Sequence, residues 1–147
     1  MFKRILVATD GSQLAEKAVA KAIDLATEHK AELTAFTVVP RQAKSHMDGA
    51  LKFESEEMDR IEGRRAEQAR TMLEAIEKRA EACGVRVSSA IVRSSRIAHS
   101  IVDAAGKHGS DLIVMATHGR TGLTSAFLGS QTAQVLAQSD VPVLVLR

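Results

Sequence analysis

The sequence predicts a single doubly wound α/β domain, a parallel sheet of five strands with four helices packed on its two faces. Three observations point there. Short apolar runs alternate along the chain with longer segments whose apolar residues recur every three or four positions, and alternation of that kind needs crossover connections and hence a parallel sheet. The first and fourth apolar runs are each followed at once by small, polar and glycine residues, and in such sheets ligands sit beyond the carboxyl ends of the strands. Finally, 147 residues, 45% hydrophobic and 26% charged, suffice for one substantial core and call for no second domain.

The elements follow in order. Arg4 to Thr9 (RILVAT) is an apolar run of the kind found in a strand covered on both faces. Asp10, Gly11 and Ser12 make a turn, with Ser12 placed to cap a helix whose apolar residues Ala15, Val19, Ala22, Ile23 and Ala26 share one face as far as about His29. Glu32 to Val39 is the second strand, stopped by Pro40. Arg41 to Ala50 has neither period and reads as an exposed, mobile loop. The second helix spans about Leu51 to Ala82, with an apolar stripe at Met58, Ile61, Ala69, Met72, Leu73, Ile76, Ala80 and Cys83 and mixed charges elsewhere. Gly84 closes it.

Val85 to Arg93 alternates at its start as an edge strand does. Ser94 and Ser95 break it and can cap a third helix carrying Ile97, Ile101, Ala104 and Ala105. Leu112 to Met115 is a buried strand, and Ser130, at or near an N-cap, opens a short fourth helix, QTAQVLAQ. Val141 to Leu146 is the last strand, kept near an edge by Pro142.

Several functional classes are excluded. No apolar run approaches the roughly 20 residues of a membrane span, and Asp10 interrupts the opening too early for a signal-peptide core. A cytoplasmic protein is expected. The net charge is +2, basic and acidic residues are interspersed, and the only aromatics are four Phe, so neither a basic patch nor stacking platforms for nucleic acid are present. The single cysteine, Cys83, rules out an internal disulfide or a cysteine-cluster metal site and reads as a small buried hydrophobe near a helix end.

Neither a P-loop nor a G-x-G-x-x-G fingerprint occurs. What stands out is an ordered set: apolar strand, Ala116-x-x-Gly119, nine residues, Gly129-Ser130, helix. The unpartnered amides and positive dipole end of that helix suit an anion. Glycine at 119, 122 and 129 lets backbone come close to a ligand. If the first and fourth strands are neighbours, Thr9 to Ser12 and Ala116 to Ser130 face one crevice. His118 is the only histidine in the loop, but no carboxylate or nucleophile stands at a local spacing that would orient it for catalysis.

These segments together, ILVATDGS, VVP, DLIVMATHGRTG, FLGS and VPVLVLR, resemble the universal stress protein family over essentially the whole chain. The resemblance implies an adenine nucleotide alpha hydrolase-like fold with strand order 3-2-1-4-5. It also implies a site for ATP, or for ADP or AMP, with Mg²⁺ as companion of the phosphates. Thr9 and Asp10 would meet the adenine and ribose, Val38 would offer backbone hydrogen bonds to adenine, and Met115 and Ala116 would lie along the ribose. Gly119, Arg120, Gly129, Ser130, Gln131 and Thr132 would surround the phosphates. Ala116 stands where the family motif has its first glycine; its methyl group either is tolerated or closes the site. Two functions follow: an ATP-binding stress or signalling module with little or no hydrolysis, or a nucleotide-free interaction protein acting through its dimer surface. In either case the resemblance implies a homodimer paired through Val141 to Leu146, which would cover an otherwise open strand edge.

Overall fold

The computed structural model describes residues 1–41, 51–119 and 128–147, of 51–54 the backbone only. The chain runs β1 (Arg4–Ala8), α1 (Gln13–His29), β2 (Glu32–Pro40), α2 (Leu51–Ala82), β3 (Val87–Ser94), α3 (Ile97–Lys107), β4 (Leu112–Ala116), α4 (Ser130–Gln138) and β5 (Val143–Leu146). All strand pairs are parallel and the order is β3-β2-β1-β4-β5, the order the family resemblance implies. The expected loop at Arg41 to Ala50 falls, beyond Arg41, outside the described residues, as do Arg120 and Gly122.

The continuous apolar run of β1 has a direct cause: both faces of the strand are covered. Ile5 and Val7 point to the layer formed by α1 and α2, where they meet Val19, Leu73 and Ile76. Leu6 and Ala8 point to the opposite layer of α3 and α4, against Ile101, Ile113 and Val135. Burying one such aliphatic side chain contributes about 1.5–3 kcal/mol. Because the pleat alternates every residue, a slip of one position would exchange the two layers.

Helix α1 starts as expected, with the Ser12 hydroxyl accepting from Ala15 N–H, and ends on Lys30 in the left-handed region. The N-terminal part of the predicted stripe of α2 is not a core face among the described residues, since Ile61 is exposed. Burial begins at Ala66 and continues through Ala69, Leu73, Ile76 and Ala80, where the helix reaches the sheet. Gly84 follows the helix at φ 75°, a conformation that favours glycine. Cys83 is exposed, not buried; it lies in the turn past the last helical residue, with its N–H bonded to Ala80 O.

The start of α3 differs from expectation, while Ser130 stands beside the cap of α4, within the expected range. Ser94 and Ser95 do not cap α3: the cap position is Arg96, without a side-chain bond to the helix, and the Ser94 hydroxyl instead accepts from Arg96 N–H at 3.0 Å. In α4 the cap is Gly129, and Ser130 is already the first helical residue. At the open ends of the sheet, among the described residues, β5 pairs only with β4 and β3 only with β2. Pairing with β5 is first seen at the carbonyl of Pro142, which accepts from Ile113 N–H at 3.0 Å. Among the described residues no helix is long and apolar enough to cross a membrane.

Candidate nucleotide site

Strands β1 and β4 are the neighbours from which the chain winds in opposite directions, β1 toward β2 and β3 and β4 toward β5. Ligands of doubly wound sheets occupy the crevice beyond the carboxyl ends at this point. Here the crevice has a cause in the register. Pairing of β1 with β4 extends to Val7 and Val114, while β1 stays with β2 through Ala8 and Phe36. The strands part, and a cleft of about 630 Å³ opens over them, lined among others by Thr9, Asp10, Val38, Met115, Ala116 and Gly119.

Val38 owes its place to strand alternation. Glu32 N–H bonds Lys3 O on the β1 side and Leu33 N–H bonds Arg86 O on the β3 side. Even-numbered residues of β2 therefore turn their N–H and C=O toward β1. The last such contact is Phe36 O, which accepts from Thr9 N–H at 3.0 Å. Two residues on, Val38 presents the same pair of groups past the end of β1, into the cleft that it lines. This leaves one donor and one acceptor side by side.

The tip of β1 is tightly folded. Thr9 is buried; its hydroxyl accepts from Gly11 N–H at 3.2 Å, and its carbonyl accepts from the Thr37 hydroxyl at 2.6 Å. Asp10 Oδ1 accepts from Ser12 N–H at 3.0 Å. The other carboxylate oxygen faces the chain that leaves β4: a Cβ placed on Gly119 would overlap Asp10 Oδ2 and sit 3.3 Å from its Cγ. The two strand tips thus touch, and residue 119 has no space for a side chain while Asp10 holds this position.

The start of α4 is seated on the end of β4. Gly129 N–H bonds Thr117 O at 2.7 Å, and a Cβ on Gly129 would come within 2.8 Å of that same oxygen and 3.2 Å of His118 Cα. Both obstacles are backbone or fixed to it. The Thr132 hydroxyl, buried, donates to Ala116 O and Thr117 O at 2.9 and 3.0 Å. It is occupied in joining helix to strand. Gln131 and Thr132 line the cleft, whereas Ser130 is exposed. The amides of Ser130, Gln131 and Thr132 have no carbonyl one turn earlier in the helix to bind, and Gly129 supplies no side chain to cap them.

Ala116, in the position of the motif's first glycine, is 7% exposed and follows Leu112 and Val114 on the α1 and α2 side of β4. Its methyl forms part of the wall, and the cleft keeps its volume beside it. His118 also lines the cleft, with Nδ1 3.1 Å from the Thr117 hydroxyl. Arg120 lies outside the described residues.

The remaining wall was not legible in the sequence. Arg65, Gln68 and Met72 of α2 and Ile97 and Ile101 of α3 line the cleft. The α2 residues arrive there because Ala66 and Ala69 pack on Val39 at the end of β2. The two alanines, three apart in a charged stretch, are the signal that marks where the long helix crosses the sheet; its rim residues are their neighbours. Among the described residues no group of three or more His, Cys, Asp or Glu could hold a metal ion by itself.

Comparison with known proteins agrees with this architecture. The model of the universal stress protein family matches residues 1–147. A universal stress protein of Thermus aquaticus is 38% identical over 150 residues, covering all of both chains. The solved structure of MJ0577, a universal stress protein of Methanocaldococcus jannaschii, is 32% identical with a TM-score of 0.83, covering 99% of this chain and 96% of that one. A universal stress protein solved in complex with cAMP shares the fold at 24% identity and a TM-score of 0.69, covering 99% of this chain and 97% of the other. Family match, whole-length relatives and sheet order coincide: the chain belongs to the universal stress protein family.

Proposed function

We propose that this protein is an adenine-nucleotide-binding stress or signalling module of the cytoplasm, homodimeric, taking ATP, or ADP or AMP, in the cleft between β1 and β4. The observation that carries this reading is the meeting of the two strand tips, Asp10 against Gly119, within a cleft that also receives Val38 and the first turn of α4. The Val38 N–H and C=O match the acceptor and donor on the Watson–Crick edge of adenine. At the other end, the open amides of α4 suit phosphate oxygens, and Arg120 and Ser130 are the groups to add charge and a hydroxyl. Thr9 supports this site by fixing the Asp10 turn, and Met115 and Ala116 flank the sugar. That a family member of the same fold was solved with cAMP makes adenine nucleotides the first ligands to try.

Asp10 is the one carboxylate lining the cleft among the described residues. One carboxylate with phosphate oxygens and water is a donor set that magnesium accepts, so Mg²⁺ would arrive with the phosphates. Its chemistry there is charge neutralisation. Hydrolysis is slow or absent in this reading: Asp10 accepts from Ser12 N–H and is given to the metal, and His118 Nδ1 is engaged with the Thr117 hydroxyl.

Mass spectrometry of the denatured protein will detect co-purified nucleotide. With ATP and Mg²⁺ at a hundredfold excess over Kd, the melting temperature rises by about 5–10 °C, corresponding to about 2.7 kcal/mol of linkage. Absence of both signals overturns the reading and favours the nucleotide-free alternative, with the Ala116 methyl as its physical motive. The dimer has a separate test. Leu144 is 37% exposed on β5, the open edge, and Leu144→Asp should give monomers by light scattering. A dimer that persists refutes pairing through Val141 to Leu146.

A further inference from the structure

Helix α3 lacks a cap of its own, and α4 provides one. Arg96, at the cap position of α3, makes no side-chain bond to the helix; instead Gln131 Oε1, in the first turn of α4, accepts from Ala98 N–H at 3.1 Å. A backbone N–H can only donate, so this bond fixes which end of the Gln131 amide is oxygen. The oxygen is spent on α3. What stands uncommitted is the NH₂ group, with two donors, on a half-buried side chain that lines the cleft.

We propose that Gln131 selects for the anionic part of the ligand through this amide, its orientation imposed by the bond to α3. The inference rests on the nucleotide reading and deepens it. A side chain held oxygen-outward would repel a phosphate; held as it is, it offers hydrogens to phosphate oxygens beside the open amides of the same turn. The α3 and α4 layers are therefore part of ligand choice, although α3 itself gives the cleft only apolar side chains, Ile97 and Ile101.

Gln131→Glu separates the two roles. A carboxylate keeps an acceptor for Ala98 N–H and suits the amino end of a helix, so the melting temperature without ligand should not fall below that of the wild type. Its second oxygen replaces the donors with negative charge, and the ratio of ATP affinity to adenosine affinity, by calorimetry, should drop about tenfold or more. Gln131→Met removes cap and donors together and should lower the melting temperature as well. An unchanged ATP-to-adenosine ratio in Gln131→Glu overturns the inference, as does a loss of both ligands in equal proportion. If the wild type binds neither ATP nor adenosine, the nucleotide reading fails and takes this one with it; if the wild type binds both and Gln131→Glu is indistinguishable, only the role of Gln131 falls.

Discussion

The tripeptide Gly-Ser-Gln begins two helices of this protein, at residues 11–13 and at residues 129–131, and the two starts are built differently. At α1 the glycine turns at φ 79°, the serine is the cap, and its hydroxyl takes up Ala15 N–H. At α4 the glycine itself is the cap, at φ −58° and ψ 148°, and the serine is already helical. The cause lies outside the tripeptide. Gly11 stands at the tip of β1, while Gly129 is clamped to Thr117 O with no space for a Cβ. One residue of shift in the helix start follows, and with it the fate of the first amides. At α1 a hydroxyl satisfies one of them; at α4 no side chain on the cap can.

Substitutions can break this contrast, beginning with the glycine that creates it. Gly129→Ala pushes a methyl into Thr117 O and His118, neither of which can yield cheaply, and should cost about 1–3 kcal/mol in urea unfolding; it should also abolish the ATP-dependent rise in melting temperature. Ser12→Ala removes a working cap and should cost about 1 kcal/mol, with ATP binding retained. Ser130→Ala, the counterpart in sequence, removes no cap: stability should stay within about 0.5 kcal/mol of the wild type. Its effect should show in ATP affinity, about fivefold for one lost hydrogen bond. If Ser130→Ala destabilises as much as Ser12→Ala, the two starts are equivalent and the distinction fails.

Much of the scaffold was legible because its signals are periodic. Both-face burial gives β1 and β4 their unbroken apolar character, one-sided burial gives α1 its spacing, and Ser12 and Gly84 punctuate the helices they border. The strand tips bearing Asp10, Ala116 and Gly119 could be marked by their sudden change of composition. What was not legible is long-range. Ser130 is expected at or near the cap and stands one residue past it; which of the two residues caps is decided by the seat of Gly129 on β4. Ser94 and Ser95 have the right chemistry for α3, yet the bond is supplied by Gln131, 33 positions from Ala98. The part played by Arg65 and Gln68 depends on the point at which a helix of 32 residues meets the sheet, which no local pattern encodes.

The bonds at the end of β4 carry a practical consequence. Thr117 N–H is held by Leu146 O at 2.8 Å, and Thr117 O in turn holds Gly129 N–H and the Thr132 hydroxyl. Leu146, the last residue of β5, is thus one peptide unit away from the seat of α4. Removing the Leu146 carbonyl would leave Thr117 N–H without this acceptor, right beside the carbonyl on which α4 is seated.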